Sequence, residues 1–199
     1  MMKNKLSLAE RVATLGHPLY PGYYLYLNGT VSPEKGADIS PLIGVIGYVN
    51  PDPNAPIGKR AEVMSLMQQR VSWSEREVFF DVTNLFDSKE NTHAIKEKAD
   101  QIGIKVPAFS LCLDFSIENA VEAGEAYLLS REQMMKVAGN QKTINQALYA
   151  IGAPPFRGTH LTSSEYNKER AWQVDVDKHK SVIYAKTYIG DYARPFFSI

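Results

Sequence analysis

The chain has 199 residues, enough for one ordinary domain or two small ones, and its 44% hydrophobic and 22% charged residues match those of soluble globular proteins. Lysine plus arginine equals aspartate plus glutamate, at 22 each, so no global field points to nucleic acid or to an acidic membrane surface. A single cysteine, Cys112, excludes an internal disulfide framework and a cysteine-based zinc site; it reads as a small buried apolar residue.

The first 22 residues carry Lys3 and Lys5 but no continuous apolar run, because Glu10 and Arg11 interrupt it, so no secretory signal is predicted. No stretch approaches the roughly 18 to 20 apolar residues of a membrane span. Leu6, Val12 and Leu15, with Ser7 as a cap and Gly16 as a stop, predict a short amphipathic helix or arm. The prolines of HPLYPG end it. In YYLYLNGTVS two strand-like runs flank Asn28-Gly29, the dipeptide suited to a tight hairpin turn. PLIGVIGYVN reads as a strand whose Gly44 and Gly47 mark a bulge or a close backbone approach.

Residues 59–72 are ambiguous between helix and strand, and EVFFDVTNLF reads as strand or irregular structure. Helical periods follow at 92–102, stopped by Gly103, and at 143–151, stopped by Gly152. Ser130 with Gln133 forms a capping-box pattern before MMKVAG. Residues 171–188 predict a hairpin around DKHK, with Trp172, Val174 and Val176 facing a core and Gln173, Asp175 and Asp177 facing outward. Strands, then short helices, then strands predict an α+β fold.

Chemistry-bearing motifs are missing. His17, His93, His160 and His179 are scattered without metal-ligand spacing and read as surface or structural histidines. Asp175 and Asp177 on one face would make at most a weak cation site, and solvated carboxylates are the commoner outcome. No glycine-rich phosphate loop, GxSxG elbow or HExxH occurs. These observations predict no enzyme, no cofactor and no metal.

The tail THLTSSEYNKERAWQVDVDKHKSVIYAKTYIGDYARPFFSI is more specific. Its Ser163, Ser164, Glu165, Tyr166, Ala171, Trp172, Val174, Lys186, Tyr192, Arg194 and Pro195 fall in the order of a pattern W-S-S-S-E-Y, A-W-x-V-x-F, K and Y-V-R-P. It resembles the C-terminus of a family of bacterial and phage surface proteins with a C-type-lectin-like fold, which includes variable proteins of diversity-generating retroelements and a phage major tropism determinant. AGEAYLLSREQMMKVAGNQKTINQALYAIGAPPF and the opening hairpin resemble the same family, so the likeness spans roughly residues 20–199. Leu161 and Ala193 depart from its usual Trp and Val, and YLLS from its YLPS. The calcium-dependent sugar motifs of lectins are absent, and one cysteine cannot supply the pair used by the formylglycine-generating relatives.

The resemblance implies a C-type-lectin-like α+β domain over 20–199, with short helices, a twisted antiparallel sheet and the C-terminal hairpin on its display face; residues 1–19 would be an N-terminal arm. It implies a non-enzymatic binding or display module on a phage virion (fibre, tail or capsid decoration), otherwise cytoplasmic, that recognises a host-surface glycan or protein. The arm would dock to other virion proteins, a homotrimer is the candidate assembly, and neither nucleic acid nor membrane is a partner. Asn167, Lys168, Glu169, Arg170, Gln173, Asp175, Asp177, His179, Tyr184, Tyr188 and Asp191 are the expected ligand-facing residues. The alternatives are a purely structural assembly protein and a bacterial retroelement variable protein. Adenine mutagenesis of AAC codons yields only NNC codons, which cannot encode Lys168, Glu169, Gln173, Lys178 or Lys180, so this copy reads as a fixed relative or one diversified through other codons.

Overall fold

The computed structural model describes residues 6–199. Helix α1 (Leu8–Leu15) starts at Ser7, whose hydroxyl accepts the Glu10 amide while the Glu10 carboxylate takes the Ser7 amide. Gly16, at φ 64°, closes it in a left-handed turn. Strands β1 (Tyr24–Tyr26) and β2 (Val31–Ser32) form the expected hairpin around Asn28-Gly29. They are followed by β3 (Leu42–Val49), β4 (Ala61–Ser65) and β5 (Gln69–Arg70). Gly44 is required by close approach: a Cβ there would lie 2.6 Å from Val63 Cγ1. The ladder between β3 and β4 shifts register at Gly47, as the glycine pattern predicted.

Residues 77–86 are irregular. Helix α2 (Ser88–Gln101) begins earlier than its apolar period suggested, because Asp87 caps it by accepting the Glu90 amide. Helix α3 (Pro107–Leu113) had no sequence prediction; it starts on Pro107 and buries Cys112. Helices α4 (Arg131–Ala138) and α5 (Gln141–Ala150) follow. Ser130 precedes α4 as expected, but its hydroxyl donates to the Gln133 side chain rather than capping the backbone. The chain ends in β6 (Thr159–Glu165), β7 (Arg170–Asp175), β8 (Lys180–Ala185), β9 (Tyr192–Ala193) and β10 (Phe196–Ser198).

The strands build two five-stranded sheets, ordered β10-β4-β3-β1-β2 and β5-β9-β6-β7-β8. Every pairing is antiparallel except β6 with β9. Alternation along the strands feeds three cores. Tyr24, Tyr26, Val45, Met64 and Phe196 face a central core shared with α4, α5, Val174 of β7 and Val176 just beyond it. Leu25, Ile46, Val63 and Phe197 face the other way, against Leu8 and Val12 of α1. On the far side of the second sheet, Leu161, Ala171 and Ala193 meet Trp73, Phe80 and residues of α2 and α3. Burying apolar surface on both faces of both sheets is the main favourable term for such a fold.

This layering overturns two expectations. Gln173 is fully buried rather than outward, and Trp172 is only partly buried rather than a core residue. Trp172 shares a face with Val174 but lies toward the end of the strand. There the Arg131 guanidinium sits 4.8 Å from its ring centroid and Tyr166 meets it edge-on at 5.2 Å.

Sheet two hands the chain to sheet one at Arg194-Pro195. The β4–β10 and β5–β9 pairs run side by side, and proline cannot donate across the break between them. Arg194, fully buried, fills that break by donating to the Ser65 carbonyl at 3.1 Å, the Pro154 carbonyl at 2.9 Å and the Gln68 side chain.

Candidate functional site

The C-terminal hairpin puts cross-strand partners on common faces. Ala171 pairs with Tyr184, Gln173 with Val182 and Asp175 with Lys180. β8 runs parallel to β9 but lies on the opposite side of β7 and β6, so residues 186–191 make a crossover that must traverse one face of the sheet. Side-chain contacts place it over the face of Gln173. Tyr188 stacks on Tyr184 with centroids 6.4 Å apart and planes at 30°. Its ring also folds against Gly190, where any Cβ would collide with it.

At the far end of the strap, the Gln173 amide lies close enough to Asp191 to favour its charged form, although neither Gln173 side-chain atom makes a hydrogen bond of ordinary geometry. Burial outweighs that effect and holds the Asp191 carboxyl up at about 6, against the further pull of the Arg70 charge. Asp191 is thus buried, a second correction to the expected ligand-facing set. The strap, together with helices α2 and α3, covers the face that strand alternation alone leaves open.

The remaining candidates separate into three places. Asn167, Lys168, Glu169 and Arg170 are exposed at the β6–β7 turn, where the Asn167 side-chain oxygen Oδ1 accepts the backbone amides of Glu169 and Arg170. Asp177 and His179 are exposed at the β7–β8 turn, about 17 Å away along β7. Asp175 holds the Lys178 ammonium at 2.7 Å. Asp177 accepts Gln141 Nε2 at 2.6 Å and the Gly158 amide at 2.8 Å, so the two carboxylates serve separate partners. His179 contacts the Met135 carbonyl at 3.0 Å from a left-handed backbone, φ 48°.

The third place is the strap. Tyr184, Tyr188 and Ile189 expose 46%, 54% and 68% of their surfaces, three large apolar groups within six residues. Ile189 was not expected at the site; its signal in the sequence is an apolar residue flanked by Tyr188 and Gly190 in a segment too short for a strand.

The strap has a rigid anchor. Lys186 at its start is fully buried; its ammonium donates to the Val78 carbonyl at 2.6 Å and to Glu165, and lies 4.7 Å from the Trp73 ring centroid. Glu165 accepts the Phe80 and Val82 amides at 2.9 and 3.2 Å. His160, buried between Phe156 and Tyr192 at 4.6 and 5.5 Å, is held down to about 3 by burial and by the Arg194 charge, so it stays neutral as a structural residue.

Among the described residues no group of three or more His, Cys, Asp or Glu side chains could hold a metal, and no helix is long and apolar enough to cross a membrane. No family model and no curated protein matches the chain. A solved structure of a fimbrial protein from Bacteroides ovatus ATCC 8483 superposes with a TM-score of 0.67 over 92% of this chain, at 16% identity. The match spans 49% of that protein, about half its length, and what the two share is an α+β fold built on antiparallel-rich sheets.

Proposed function

We propose that the chain is a non-enzymatic binding and display module with a C-type-lectin-like fold, carried on a phage virion, and that it grips a host-surface glycan or protein through the strap over β7 and β8. The exposed Tyr184–Tyr188 stack with Ile189 beside it carries this reading. Stacked tyrosines offer large amphipathic contact area at little entropic cost, and apolar clusters on an otherwise polar surface mark contact sites. The residues that resemble the family motif support the same division of labour. Glu165, Lys186 and Arg194 are buried in the frame, while Asn167–Arg170, Tyr184 and Tyr188 lie outside it. Leu6 and Leu15, half exposed on the N-terminal segment, suit its docking to other virion proteins, and a homotrimer would present three straps to one surface.

The same cluster would serve equally as an assembly contact, which is the rival reading. Replacing Tyr184 and Tyr188 together by alanine separates the two. The proposal expects binding to host cells or purified envelope to fall at least tenfold, with an unchanged melting temperature and unchanged incorporation into particles. Loss of incorporation, or rings packed against a neighbouring subunit in the assembled particle, would establish the structural role instead.

A further inference from the structure

A separate cleft of about 610 Å³ opens at the end of the central core, and no residue of the strap lines it. That volume is in the range of small-molecule sites. Its floor is a row across three neighbouring strands: Tyr48 pairs with Glu62, and Glu62 with Ser198. The Tyr127 hydroxyl donates to one Glu62 oxygen at 2.6 Å and contacts the Ser198 hydroxyl. Gln133 Nε2 donates to the other Glu62 oxygen at 3.2 Å, while its own carbonyl oxygen is fixed by Ser88 and Ser130. Burial raises the Glu62 carboxyl to about 7, opposed by hydrogen bonds from Tyr127 and Ser198 and by the Lys136 charge.

The charges on the lining balance. Lys59, Lys89 and Lys136 face Glu62, Asp87 and Glu90. An anion would meet the carboxylates and a cation the ammoniums, and at the N-terminus of α2 the Glu90 amide is already engaged by Asp87 and the Ser88 amide by Gln133. What the cleft offers is a fixed set of donors and acceptors next to aromatic faces. Tyr48 lies in the floor, with the Lys136 ammonium 5.4 Å from its centroid. Phe86 stands at the mouth with 69% of its surface exposed, an apolar ring that no core accounts for.

We propose that this cleft is a second binding site, for a neutral polyhydroxylated ligand of saccharide class, with Glu62 and Tyr127 bonding its hydroxyls and Phe86 stacking on its C–H face. Carboxylates and hydroxyls satisfy polyol donors and acceptors at once, and an aromatic ring covers the apolar face that a sugar presents. The site does not depend on the strap.

The test is two-dimensional amide NMR of the full chain titrated with glucose, galactose, mannose, rhamnose and N-acetylglucosamine, and with glucuronic acid as the charged control. The expected result is saturable shifts of the Tyr48, Phe86–Glu90 and Ser198 amides with at least one neutral sugar. Glu62→Gln and the surface change Phe86→Ala should each weaken that sugar roughly tenfold. Tyr184→Ala/Tyr188→Ala should leave it unchanged, so this site and the strap fail or stand separately. The proposal is overturned if no neutral sugar moves these amides, if only glucuronic acid does, or if folded Phe86→Ala binds like the parent.

Discussion

Replacing Lys186 by Met keeps the length of the side chain and removes its charge from the most enclosed ion pair of the second sheet. Both partners are fully shielded from solvent. Without the ammonium, Glu165 keeps the Phe80 and Val82 amides but is left a buried carboxylate with no counter-charge, and the Val78 carbonyl loses its donor. Breaking a buried pair from one side costs about 3 to 5 kcal/mol. Removing both charges together is far milder: in Lys186→Met/Glu165→Gln the glutamine oxygen still accepts the Phe80 amide, so the double variant should recover most of the loss. Urea unfolding with an unchanged slope measures the stabilities, and hydrogen exchange at the Phe80 and Val82 amides reports the segment the pair holds. A Lys186→Met protein within about 1 kcal/mol of the parent, with those amides still protected, would refute the reasoning.

Two more outcomes follow from buried charges. Arg194→Lys should lower stability by roughly 2 kcal/mol or more, since an ammonium cannot reach both carbonyls and Gln68 as the planar guanidinium does. Binding by the protein that remains folded should be intact, and lost binding at an unchanged melting temperature would make Arg194 a ligand residue. Glu62 binds its proton more tightly in the fold, at about 7, than its ordinary 4.5. It therefore contributes stability that is complete below pH 4.5 and lost as pH rises through 7, on the order of 2 to 3 kcal/mol. The stability difference between the parent and Glu62→Gln should swing by that amount between pH 4.5 and 8, whereas the opposite titration of His160 cancels; parallel curves would refute it.

Local signals were legible where a residue type answers a backbone demand. Ser7 and Gly16 bound α1, Asn28-Gly29 turns the first hairpin, Gly44 permits the close approach of Val63, and the alternation around Trp172 marks β7. Helix α3 was not legible, because seven residues opening on a proline carry too little period to separate helix from strand. Nor was the cap of α4, where Ser130 has a nearer partner in Gln133.

The sequence by itself determined the class of the fold, its turns and the C-terminal hairpin, since those depend on neighbours along the chain. Only the tertiary structure decided which face of β7 is free. Period-two alternation says that Gln173 and Val174 point to opposite sides but not which side is covered. The cover over Gln173 comes from a crossover imposed by the parallel relation of β8 and β9, and from helices α2 and α3, which end 72 and 60 residues before it. The Tyr48–Glu62–Ser198 row is likewise set by strand register, which joins residues up to 150 positions apart. Register and layer order depend on contacts distant in sequence, and no local pattern encodes them.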